Sequence, residues 1–181
     1  MKDFLKSFFS FGGEILEVVV LALLIVIPIR YFLFQPFVVD GSSMEPNFYD
    51  GDYLIVDQIT YRFRAPERGE VIIFYAPTDP SKRFIKRVIG LPDETLETID
   101  GQIQVTDKEN NQFFLDETYH PWGGVGNSFV VTLEEGQYFV MGDNRDRSYD
   151  SRFWGYLPSD NIIGRAVLRL WPLDRITQIN P

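Results

Sequence analysis

Ser43, in the run Gly41-Ser42-Ser43-Met44-Glu45-Pro46, and Lys86, in Phe84-Ile85-Lys86-Arg87-Val88-Ile89-Gly90, are the residues best suited to do chemistry together. A lysine amine held out of water can be neutral near pH 7 and accept a serine proton, which leaves an oxygen able to attack an acyl carbon. The chain has no Cys, so thiol catalysis and disulfides are excluded, and any Ser-His-Asp triad would need the single histidine, His120. Period-two alternation puts Phe84, Lys86 and Val88 on one face of a strand and Ile85, Arg87 and Ile89 on the other. Lys86 is thus flanked by apolar side chains, which should lower its pKa toward the working pH. Taken alone, each residue also has a plainer explanation: a turn-forming serine, with Ser42 an equal candidate, and a lysine snorkelling from a half-buried strand.

A third unusual stretch runs from Gly142 to Gly155, where Asp143, Asp146 and Asp150 alternate with Arg145, Arg147 and Arg152. It suits a solvated loop with surface ion pairs; a calcium loop fits poorly, because arginines sit among the would-be ligands and the spacing is not that of an EF-hand. His120 precedes a proline and reads as a surface or capping residue.

The elements that must position these groups divide the chain into three parts. Residues 15–34 are apolar over about the length needed to cross a hydrocarbon core of about 30 Å, with Glu17 and Arg30 near the ends, which predicts a transmembrane helix kinked at Pro28. A cleaved signal peptide or a buried core helix would be the alternatives. Lys2 and Lys6 precede the span, so the positive-inside rule favours a cytoplasmic segment 1–14 and an extracytoplasmic domain 35–181. That domain reads as mainly antiparallel β, with strands expected at 53–58, 71–75, 84–89, 95–99, 102–105, 129–133, 138–141 and 166–171. Asp100-Gly101 predicts a two-residue hairpin and Glu135-Gly136 another, while residues 107–128 look like an inserted lobe or long loop. A net charge of -9 makes nucleic acid or an anionic surface a poor general partner for the main body.

Taken in order, the apolar segment, Gly41-x-Ser43-Met44-x-Pro46, Gly51-Asp52-Tyr53-Leu54-Ile55-Val56, Lys86-Arg87-Val88-Ile89-Gly90 and Gly142-Asp143-Asn144-Arg145-Asp146 through Trp154-Gly155 resemble the type I signal peptidases. The resemblance spans nearly the whole chain. It implies a membrane-bound serine endopeptidase of the cell membrane, single-pass, that removes signal peptides from exported preproteins after small-x-small sites, with no cofactor and no metal. Preprotein signal peptides and membrane lipid are the implied partners, and nucleic acid is not. By motif position Ser43 is the nucleophile, Lys86 the general base, and Ser148 the serine that hydrogen-bonds the lysine amine. Asp143 would pair with Arg87, and Asp150 with Arg152. Phe37, Val39, Met44, Leu54, Phe84 and Ile85 would line shallow apolar pockets for an extended substrate. Gly41 stands where some members carry a serine that serves as an oxyanion donor, Arg147 where Asn is usual, and Asn47 where Thr is usual; Leu91-Pro92-Asp93-Glu94 lacks the glycine often found after the proline.

Two rival functions are a self-cleaving repressor-type Ser-Lys protease and a membrane-tethered β-rich binding module. The first would carry a DNA-binding helical domain, and nothing of that kind precedes Ser43. The second would have lost a dyad residue.

Overall fold

The computed structural model of the chain describes residues 15–24, 26, 34–122, 124–126 and 128–180. Strands β1 (Phe34–Val38), β2 (Tyr53–Asp57), β3 (Val71–Ala76) and β4 (Asp79–Gly90) precede a second group, β5 (Thr95–Ile99), β6 (Gln102–Thr106), β7 (Gln112–Phe114) and β8 (Val130–Thr132). The chain then returns through β9 (Gln137–Met141), β10 (Leu157–Pro158), β11 (Ile162–Trp171) and β12 (Thr177–Gln178). One antiparallel sheet runs in the order β1-β2-β11-β3-β4-β9-β10, with β12 on β11, and a smaller one runs β7-β6-β5-β8.

Val71-Ile72-Ile73-Phe74 is apolar at consecutive positions, a pattern that suits a strand covered on both faces. In β3 the alternate side chains do enter two cores: Val71 and Ile73 pack with Leu54, Val56 and Ile85, and Ile72 and Phe74 with Val88, Val140 and Leu157. A third core, built around Ile89, Leu96, Ile103 and Phe139, joins the two sheets.

All eight expected strands are present, with edges displaced by a few residues. β4 begins earlier, at Asp79, because its polar first half pairs with β3 without an apolar alternation to mark it. β1 was concealed in apolar sequence and contains Pro36, which is tolerated because β1 is an edge strand. Asp100 and Gly101 have φ of 49° and 78°, the two positive angles of a tight hairpin turn between β5 and β6. Glu135-Gly136 makes a turn but not a hairpin, since β8 pairs with β5 and β9 with β4, so the turn links the two sheets. The 107–128 stretch belongs to a larger excursion, since β5 and β6 share its separate sheet instead of extending the main one.

Of the expected span, residues 15–24 and 26 are helical, and 25 and 27–33 lie outside the described residues, as does the segment 1–14. Among the described residues no helix is long and apolar enough to cross a membrane.

Phe74 is fully buried, whereas Val130 is 68% exposed. Phe74→Ala should cost about 3–5 kcal/mol of unfolding free energy and Val130→Ala within about 0.5 kcal/mol, measured by urea denaturation.

Candidate active site

The turn that carries Ser43 is closed at its neck by two backbone bonds, Val39 N–H to the Asp52 carbonyl at 3.0 Å and Gly51 N–H to the Val39 carbonyl at 2.9 Å. Met44 and Phe48 are buried and plug the loop into the core beneath it. On the facing side, β4 and β9 pair with Arg87 opposite Met141, so the chain leaves β9 at Gly142 beside Lys86. Gly142 has no room for a side chain, because a Cβ there would collide with the Ser43 carbonyl and the Ser148 side chain. Asn144 N–H donates to that Ser43 carbonyl at 3.0 Å, tying the 142–155 loop to the turn.

This brings Lys86 Nζ to 2.7 Å from Ser43 Oγ. The amine also donates to the Ile85 carbonyl at 2.8 Å, which fixes its direction. Ser42, which the residues alone could not separate from Ser43, makes no such contact among the described residues. Burial lowers the Lys86 pKa from 10.5 to about 8, while the carboxylates of Asp150 and Asp143 act in the opposite sense. A neutral amine within hydrogen-bond distance of a serine hydroxyl can serve as its base.

The neighbouring charges are paired. Arg87 donates from Nε and Nη2 to the two oxygens of Asp143 at 2.8 and 2.7 Å, and both side chains are buried. Arg152 holds Asp150 in the same two-bond manner at 2.8 and 2.9 Å, and Asp150 also accepts from Gly142 N–H at 3.0 Å. Ser148 lies against Gly142, but among the described residues its buried hydroxyl has no hydrogen-bond partner. The expected bond from Ser148 to the lysine amine is therefore not formed, and the amine is satisfied by Ser43 and the Ile85 carbonyl instead.

Several residues that support the site were not assigned that role from the sequence. Asn47 uses both hydrogens of its amide, donating to the Tyr119 carbonyl at 2.7 Å and to Asp143 Oδ2 at 2.8 Å. It thereby links the serine turn, the excursion and the Arg87–Asp143 pair. Arg87 also lies over the Tyr119 ring at 4.2 Å, and Glu117 pairs with Arg145. His120 is buried, not a surface residue: Nδ1 lies 2.8 Å from the Asp143 carbonyl and Nε2 3.0 Å from that of Gly124. In the sequence Asn47 was marked only by its place after the serine motif, where Thr is usual, and His120 only by the proline that follows it.

A cleft of about 600 Å³ opens beside the dyad. Of the six residues expected to form apolar pockets, Phe37, Phe84 and Ile85 line this cleft. Val39, Met44 and Leu54 do not: they are almost completely buried and pack behind the cleft wall, where β1, β2 and the serine turn need apolar filling.

The family described as signal peptidase, peptidase S26, matches residues 13–171. The chain is 39% identical over 169 residues to a probable signal peptidase I-2 of Synechocystis sp., covering 90% of this chain and 75% of that protein. It is 36% identical over 177 residues to a signal peptidase I of Leptolyngbya laminosa, covering 93% and 84%. A crystal structure of a signal peptidase I from Enterococcus faecalis matches with a TM-score of 0.50 at 31% identity, over 56% of this chain and 97% of that one.

Breaking the Arg87–Asp143 pair from one side strands a buried charge. Arg87→Met is expected to cost about 3–5 kcal/mol in urea denaturation, and Arg87→Met with Asp143→Leu less than the two single changes together. Additive losses would show that the two groups are not coupled.

Proposed function

Because the chain belongs to the peptidase S26 family of signal peptidases, which are serine peptidases, we propose that it cleaves signal peptides from exported preproteins with Ser43 as nucleophile and Lys86 as base. The observation that carries this reading is the 2.7 Å approach of Lys86 Nζ to Ser43 Oγ, with the amine buried and its pKa brought down to about 8. Neutral Lys86 takes the serine proton as Oγ attacks the scissile carbonyl. The C–N bond then breaks, and Lys86 returns the proton to the leaving amine. Water enters, gives a proton to Lys86 and attacks the ester, and the serine regains its hydrogen as the new carboxyl end departs.

Negative charge builds on the carbonyl oxygen in both halves of the reaction. The Ser43 N–H, which bonds to no protein acceptor among the described residues, is available to receive it. Gly41 supplies no side-chain donor, so a second donor would have to come from elsewhere. Arg87 and Arg152, by holding Asp143 and Asp150, keep the loop around Lys86 in shape.

The substrate binds as an extended strand. Among the described residues, on the side away from β3, β4 pairs with β9 only from Arg87 onward, which leaves the 81–86 edge free to pair with a peptide. Phe37, Phe84 and Ile85 form apolar walls close to the dyad, a setting in which small side chains near the cut are favoured.

The apolar segment 15–34 is the membrane anchor in this reading. Leu16, Val18, Leu21 and Leu24 on the described helix are 60–68% exposed, which would be costly in water and is natural in lipid. Ser43 follows the end of that segment closely, so the active site would lie at the outer membrane interface, with the N-terminal side cytoplasmic.

Cleavage of a preprotein with an Ala-x-Ala site in detergent, with sequencing of the new N-terminus, tests the assignment. Loss of about 10²–10⁴-fold in Ser43→Ala and Lys86→Ala, with Ser42→Ala still active, is expected. Activity surviving in Ser43→Ala would sink it, and binding without cleavage by well-folded wild type would favour a binding module. The neutral amine is the active form, so kcat/KM should rise about tenfold per pH unit up to a midpoint near 8 and then level off. A rate that is flat down to pH 4 would remove Lys86 from the role.

A further inference from the structure

The chain carries a net charge of -9, yet the cleft beside the dyad is lined by Lys82, Arg83 and Arg147 in addition to Lys86, with Asp40 as the lone carboxylate among its lining residues. These cations are not consumed by the fold. Arg147 is exposed and, among the described residues, takes part in no ion pair or side-chain hydrogen bond. Arg83 is also exposed and rests over the Phe37 ring at 5.8 Å, and among the described residues it has no carboxylate partner. Lys82 meets Asp79 only at 3.4 Å on an open surface. The carboxylates nearest the dyad, Asp143 and Asp150, are fully buried and already held by Arg87 and Arg152, so they offer these cations no partner.

The cations also stand at useful places along a bound strand. Arg147 lies on the loop whose Asn144 N–H bonds the Ser43 carbonyl, next to buried Ser148 and thus close to the reacting centre. Arg83 and Lys82 lie three and four residues before Lys86 on the free edge of β4, about 10–13 Å along an extended chain. A cationic cleft in an acidic body concentrates field on whatever lies in it.

We propose that this cleft selects substrates with an acidic side chain in the residues flanking the scissile bond, and that Arg147 is a specificity-determining residue. The proposal rests on the peptidase reading above and adds a charge preference to it. Selection for small side chains comes from the apolar walls, and the cationic rim discriminates among the flanking residues that those walls do not touch. Where Asn occupies the Arg147 position, this part of the charge preference would be weaker.

The test uses the full chain in a nonionic detergent and a panel of preprotein-derived substrates with one Ala-x-Ala site. Glu, Gln or Lys is placed at each of three positions on either side of the scissile bond. At one position or more, kcat/KM should favour Glu over Gln by about three- to fivefold and Glu over Lys by about tenfold, the difference shrinking in high salt. Arg147→Gln should flatten the ratio at the responsive position and Arg147→Glu should invert it. Lys82→Glu with Arg83→Glu should do the same at a position farther from the cut. Cleavage of the Gln substrate by wild type reports the peptidase reading separately, so a flat Glu, Gln and Lys series on an active enzyme overturns the charge selection alone. Ratios unchanged in the Arg147 variants would also overturn it, as would a loss confined to binding of anionic vesicles, which would assign the cations to lipid headgroups.

Discussion

An amine that must give up its proton near neutral pH has to be taken out of water, and the region around Lys86 is arranged to do that. Lys86 is 4% exposed. Burial brings its pKa down, but the same burial places it near Asp143 and Asp150, whose charges push the pKa up again. Those carboxylates are each held by an arginine through two bonds, which offsets their field and keeps them from moving toward the amine. The arginines in turn need acceptors for their remaining hydrogens. Arg87 finds the Gly69 carbonyl, and Arg152 finds those of Val125 and Arg145. A buried set of this kind holds only if every member is satisfied.

Satisfying it draws on the connection between β7 and β8. The 107–128 part of the excursion supplies the Tyr119 ring above Arg87, the Val125 carbonyl for Arg152, Glu117 for Arg145 and His120 against the Asp143 carbonyl. Asn47 closes the arrangement from the serine side, so a displacement of the excursion would be felt at Asp143 and at the turn that carries Ser43. The connection between β7 and β8 thus completes the polar network around the catalytic loop, and the smaller sheet that carries it shares a core with β4 and β9.

The strands with clear alternation, the Asp100-Gly101 turn and the two segments that meet at the dyad could all be read from the residues. Lys86 between Phe84 and Val88 was visible because alternation is local. The Asn47 bridge was not, because it joins residues 72 and 96 positions apart and periodicity carries no information at that range. Nor was the burial of Val39, Met44 and Leu54, since an apolar residue near a site can form its wall or lie behind it, and only the packing of β1 on β2 decides. Glu135-Gly136 was recognisable as a turn, but a turn does not say whether its flanking strands pair with one another. The burial of His120 was hidden for a related reason: one carbonyl beside its ring, that of Gly124, is four residues on, but the other, that of Asp143, is 23 positions away on the catalytic loop.

The account depends on Lys86 being neutral in the working pH range, and this can be observed at the atom itself. Lysine labelled with ¹⁵N at Nζ, assigned by comparison with Lys86→Arg, can be followed by NMR through a pH titration of the detergent-solubilised protein. The account predicts a midpoint near 8 for this one resonance. A Lys86 amine that stays protonated to pH 10 would contradict it, because no base would then be available to Ser43 near neutral pH.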